Sequence, residues 1–124
     1  MANGKIKADT LEHSTAGSLD TQYVVSGSAK AWSSVQADQS TQNDSLNVSS
    51  VSDAGVGLCQ RNFINSFASN PFGNTGLSVE QLNNAGFSRF SDTSSAGSIQ
   101  TNVRNTSNAQ ADHQNSCLIL GDLA

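Results

Sequence analysis

Apolar and polar positions alternate over short runs and almost nowhere follow a helical period. Lys5-Ile-Lys-Ala-Asp-Thr-Leu11 sets Ile6 and Ala8 on one side and Lys5, Lys7 and Asp9 on the other, the two-residue period of a strand. Gln22–Val25 and Ala29–Trp32 are two further strand-like runs, separated by Ser26-Gly27-Ser28. Asp44–Val51 places Leu46 and Val48 on one face. Ser52-Asp-Ala-Gly55 then reads as a turn, because Asp and Gly accept turn backbone angles. Extended structure is expected again over Val56–Phe63, Gly86–Phe90, Ser98–Arg104 and Ser116–Leu120. One segment, Leu77–Leu82, could form a single helical turn capped by Ser78. Many short strands separated by Gly, Asn and Ser predict an all-β fold, an antiparallel β-sandwich of jelly-roll-like form.

Between the strands, residues 33–43 and 105–115 hold little that could anchor a core, so both are expected as surface loops and candidate contact surfaces. Residues 1–19 read differently from the rest. They carry one plausible strand, end in Ser14-Thr-Ala-Gly-Ser18, and are expected to form an extended arm for attachment or subunit pairing. Residues 20–124 would then be the sandwich.

Composition sharpens this picture. Ser, Thr, Asn and Gln supply 51 of the 124 residues, whereas charged residues supply 13%. An average domain carries about 25% charged residues, so the polarity here is that of amides and hydroxyls. No apolar run approaches the ~18 residues of a membrane span, and membrane insertion is not expected. The formal net charge is −4, and six Lys and Arg scattered along the chain form no basic stripe. Nucleic acid is therefore not an expected partner. The first residues lack the apolar stretch of a signal peptide, so synthesis and retention in a cytoplasm are expected.

Candidate chemistry is sparse. Two Glu (Glu12, Glu80), eight Asp and two His show no pairing suited to acid–base work, and no nucleophile elbow, zinc-protease motif or phosphate loop occurs. No enzymatic activity, cofactor or metal is expected. Cys59 and Cys117 sit beside apolar residues and read as buried thiols, with a disulfide formed after release as the alternative.

Three strings stand in order: Ala8-Asp-Thr-Leu-Glu-His-Ser-Thr-Ala-Gly-Ser18, Tyr23-Val-Val-Ser-Gly-Ser-Ala-Lys-Ala-Trp32, and Asp44-Ser-Leu-Asn-Val-Ser-Ser-Val-Ser-Asp-Ala-Gly-Val-Gly57. Together with the closing Cys117-Leu-Ile-Leu-Gly-Asp-Leu-Ala124, they resemble modules of bacteriophage tail-fibre and related virion proteins. The resemblance covers residues 5–57 and 117–124 and implies a virion role, in a tail fibre, a short fibre tip or an adaptor. A head decoration protein and a soluble carbohydrate-binding module are the alternatives. It further implies a homotrimer whose interface would draw on Ile6, Leu11, Leu118, Ile119, Leu120 and Leu123. Other tail or capsid proteins, and a host surface glycan or protein, would be partners. Host contact would fall on the two loops, through Gln36, Gln39, Asn108 and His113, with Trp32, Tyr23 and the Phe residues as stacking platforms if they are not core.

Overall fold

The computed structural model describes residues 4, 7–69, 73–78, 87–90 and 94–124. Among these residues it is all-β apart from one short helix. A hairpin of β1 (Thr10–His13) and β2 (Gly17–Asp20) leads into α1 (Thr21–Gly27). Eight strands follow: β3 (Ala31–Val35), β4 (Gln42–Leu46), β5 (Val48–Gly55), β6 (Leu58–Phe63), β7 (Gly73–Ser78), β8 (Phe87–Phe90), β9 (Ser98–Arg104) and β10 (Asn115–Leu120). They form two four-stranded antiparallel sheets, ordered β4-β3-β10-β7 and β5-β6-β9-β8.

The two sheets bury one face each against the other, as the alternation of burial shows. Ala31, Ser33 and Val35 of β3 are buried, and so are Asn115, Cys117 and Ile119 of β10, while the residues between them are not. From the second sheet come Cys59, Arg61 and Phe63 of β6 and Ile99, Thr101 and Val103 of β9. One end of the interior is apolar: Ala31, Val48, Phe63, Phe67, Ile99, Cys117 and Ile119 form a continuous cluster. Phe63 and Phe67 meet edge to face there with centroids 5.0 Å apart, the arrangement favoured by ring quadrupoles.

The chain changes sheets between β4 and β5 at a single residue. Asn47 adopts a left-handed φ of 55°, which Asn tolerates better than most residues. Its side chain secures the corner in both directions. Nδ2 donates to the Asn65 carbonyl at 3.0 Å, and Oδ1 accepts the Asn65 amide at 2.8 Å. The expected strand 44–51 is therefore two strands in two sheets, divided at Asn47.

Three other expectations are corrected. Gln22–Val25 is helical, not extended. Thr21 starts the helix by donating through Oγ1 to the Ala8 carbonyl at 2.7 Å and through its amide to Asp9 O at 2.9 Å. Lys30 Nζ closes its end on the carbonyls of Val25 and Ser28, a favourable place for a cation. The turn expected at Ser52–Gly55 lies at Val56–Gly57, because Asp53 Oδ1 captures the Gly55 amide at 2.8 Å and makes a bulge within β5. Leu77 and Ser78 end β7 and do not begin a helical turn; residues 79–82 lie outside those described.

Candidate functional site

The two sequence loops singled out as contact surfaces meet at one end of the sandwich. β3 ends there at Val35 and β10 starts there at Asn115, and these two residues pair in register. Between β3 and β4, residues 36–41 fold on Asp38, whose carboxylate accepts the amides of Ser40 at 3.1 Å and Thr41 at 2.8 Å and the Thr41 hydroxyl. In the loop before β10, Asn105 Oδ1 accepts the amides of Ser107 and Ala109, both at 3.0 Å. Such side-chain turns suit a chain rich in Asn and Asp. The β5–β6 turn joins this end as well: the Gly57 amide donates to Asp112 Oδ1 at 2.6 Å, and the Val103 amide donates to Gly57 O at 2.7 Å.

Beneath the loops lies a buried polar network centred on Arg61. Its guanidinium has no exposed surface. Nε donates to Ser33 Oγ at 2.6 Å, Nη1 to Thr101 Oγ1 at 2.6 Å and Nη2 to Asn115 Oδ1 at 2.5 Å. All its described partners are neutral oxygens, two of them on the opposite sheet. Burying an ion costs several kcal/mol, and charge-assisted hydrogen bonds return about 1.5–3 kcal/mol each, so the arrangement roughly breaks even.

The network continues into both loops. Asn115 Nδ2 donates to Gln39 Oε1 at 2.8 Å and to the His113 carbonyl at 3.1 Å. Gln39 Nε2 donates to the carbonyls of Ala37 at 3.0 Å and His113 at 2.8 Å. Gln39 itself is held at φ 56°, outside the usual range for a non-glycine residue. Cys59 adds a contact by donating through Sγ to Gln39 O at 3.4 Å. Burial pushes the Cys59 thiol above its ordinary pKa, so it stays protonated and fit to donate. Both cysteines are buried free thiols.

The sequence candidates separate accordingly. Gln36 is exposed and donates through Nε2 to Asn43 Oδ1 at 2.9 Å. Asn108 is exposed, at φ 60°, with its carbonyl accepting from Arg104 Nη1 at 2.6 Å. His113 is half-buried and contributes its carbonyl. Gln39 is corrected: it is fully buried, so it builds the site from below and offers nothing to a ligand. The expectation that residues 33–43 form a loop without core anchors is corrected too, since Ser33 and Val35 are buried in β3 and Gln39 is an anchor.

Ile119 is corrected as an interface candidate, being wholly enclosed in the core cluster. Its neighbours behave as strand alternation demands: Leu118 is exposed on the outer face and Leu120 is half-buried. Leu11 and Leu123 are also exposed, and Ile6 lies outside the described residues. The aromatic candidates divide as well. Phe63 and Phe67 are core, Trp32 is half-buried on the outer face of β3, and Tyr23 is 60% exposed on α1. No aromatic ring other than the His113 imidazole occurs in residues 36–41 or 105–114.

The described loops at this end therefore present amides, hydroxyls and engaged carboxylates, a surface suited to hydrogen bonding. Among the described residues, no three His, Cys, Asp or Glu side chains gather as metal ligands. The Thr41 hydroxyl, followed by the Thr41 and Ser40 amides, holds the Asp38 carboxyl below its ordinary pKa. A depressed carboxyl contributes order that is complete above its unfolded pKa of about 3.9 and lost as pH falls through the lower folded value. Acidification below about pH 4 is thus expected to release the Ser40 and Thr41 amides, seen as faster exchange by NMR. Asp38→Asn keeps an acceptor oxygen but cannot titrate, so it should flatten that response.

Comparison with known proteins found no match among family models, curated proteins or solved structures.

Proposed function

We propose that this chain is a non-enzymatic structural protein of a phage virion, a tail-fibre or short fibre-tip component whose arm attaches and whose loop end meets the host. The observation that carries this reading is the apolar surface of the arm and of the helix that follows it. Of the large apolar side chains exposed among the described residues, half (Leu11, Leu19, Tyr23, Val24 and Val25) lie on β1, β2 and α1. α1 buries none of its residues. A two-stranded hairpin and a two-turn helix are marginal alone in water, so this segment gains its stability from a neighbouring chain. Concentrated apolar exposure of this kind marks an association surface.

The strands give the domain a polarity that suits such a role. β3 starts at Ala31, shortly after α1 in the chain, and ends at the 36–41 loop, and β10 runs back the other way. Attachment at one end leaves the amide-rich loops at the other. Homotrimeric closure would draw on the exposed Leu11, Leu118 and Leu123, as tail or capsid partners would in a decoration protein.

Two experiments test this. Immunogold microscopy of purified virions with antibody against this chain is expected to label the tail. Label over the head would make it a decoration protein, and unlabelled particles would end the virion reading. In solution, light scattering is expected to give about three times the 12.9 kDa chain mass, and Leu11→Ser with Val25→Ser to give the single-chain mass. An unchanged mass in the double variant would remove the arm and α1 from the interface.

A further inference from the structure

We infer that Arg61 is a positioning residue that sets the two recognition loops as one preformed surface, by imposing a direction on the hydrogen bonds that reach them. This rests on the loop end being the contact surface, but the mechanism and its test are physical properties of the chain itself.

The argument starts from donor and acceptor inventory. A guanidinium can only donate. Arg61 therefore requires Asn115 to present its oxygen, and Nη2 meets Oδ1 at 2.5 Å. With its oxygen committed, Asn115 must turn its Nδ2 toward the loops, where it meets Gln39 Oε1 at 2.8 Å and His113 O at 3.1 Å. Gln39, now accepting through its oxygen, must in turn point Nε2 at carbonyls, and it reaches Ala37 at 3.0 Å and His113 at 2.8 Å. Each amide has two possible orientations, and the charge at the base selects one for both. The 36–41 loop and the 105–114 loop are thereby joined through residues 76 and 74 positions apart.

Two observations indicate that this direction matters beyond filling space. Gln39 keeps a left-handed backbone with no exposed surface, which requires its side chain to be captured. Arg61 also lacks a carboxylate partner among its described contacts, so it is not there to complete an ion pair. An apolar side chain of similar volume would hold the sheets together about as well. It could not orient Asn115.

Asn115→Asp separates orientation from packing. The aspartate keeps an oxygen for Arg61 but replaces the Nδ2 donor with a second acceptor, which faces Gln39 Oε1 and His113 O. Amide hydrogen exchange across the intact chain is the readout. The Gln39 amide, which donates to Gln36 O, and the Asn105 and Ala111 amides, which donate to Ala109 O and Val103 O, are expected to lose protection by about tenfold, the worth of one to two hydrogen bonds. Amides of β6 and β9 should keep theirs. Arg61→Met stands in if the aspartate does not fold; its loops should lose protection beyond the drop that its lower global stability produces in β6 and β9. Loop protection unchanged in both variants, or falling only in step with β6 and β9, would overturn the assignment. Neither result depends on where the chain sits on a particle.

Discussion

Arg61→Ala is expected to unfold far more easily than the native chain, with a loss of about 3–5 kcal/mol and a fall in Tm of roughly 10–20 °C. Three consequences add up. The side chain spans the interior, and its removal leaves a cavity between the sheets that close-packed neighbours fill only in part. Ser33 Oγ and Asn115 Oδ1 lose their short charged donor and keep only long contacts, to Cys117 Sγ at 3.9 Å and Thr101 Oγ1 at 3.5 Å, and a poorly satisfied buried acceptor costs about 1–3 kcal/mol. Thr101 keeps only longer contacts, to the Cys59 carbonyl at 3.4 Å and Asn115 Oδ1 at 3.5 Å. Relief of the buried charge offsets part of this. Arg61→Met, which fills the space and removes the charge, should lose no more than about 1–2 kcal/mol. Denaturant unfolding of the pair measures both values. Equal losses would mean that volume has no part in the role of this residue; a negligible loss in Arg61→Ala would mean that water replaces the guanidinium.

The place of Arg61 was open to sequence reading, and composition hid it. Cys59, Arg61 and Phe63 alternate with Gln60 and Asn62, so the strand period alone puts the arginine on the inward face. Composition counts it only as one of six scattered cations. Two other central strands follow the same rule: Ser98–Arg104 matches β9, and Cys117 and Ile119 point inward as alternation requires.

Other features could not be read locally. Gln39 sits in a run poor in apolar residues, and its burial depends on Asn115 and His113, more than 70 positions away. The helix over Tyr23–Val25 opposes the strand preference of Tyr and Val, and Thr21 holding the carbonyls of Ala8 and Asp9 decides it. Period-two patterning locates cores made of oil. A core made partly of amides and hydroxyls is specified by pairs, and pairs become visible only once the strands are in register.

The second large effect is expected at Gly57→Ala, with a loss of about 3–5 kcal/mol. The residue has a φ of +69°, where a side chain costs about 1–2 kcal/mol. Space is the greater obstacle. A Cβ there would lie 2.4 Å from the Val103 carbonyl oxygen and 2.9 Å from the Ala111 amide nitrogen, and both are backbone atoms that cannot rotate away. Relief requires moving the β5–β6 turn off β9, which strains the Val103 amide on Gly57 O and the Gly57 amide on Asp112. Because Asp112 belongs to the loop before β10, the damage should spread to that loop. Two other glycines separate the causes. Gly55 has a φ of +132° but its nearest neighbour for a Cβ is Leu58 Cδ1 at 3.7 Å, so Gly55→Ala meets backbone strain alone. Gly97 has no positive φ and a nearest contact of 3.5 Å to Ser66 Oγ, so Gly97→Ala should be almost neutral. The expected order of denaturation midpoints is Gly97→Ala highest, Gly55→Ala below it and Gly57→Ala far below both. A Gly57→Ala midpoint level with that of Gly55→Ala would show that the turn yields without cost, and that close approach to Val103 is not what reserves the position for glycine.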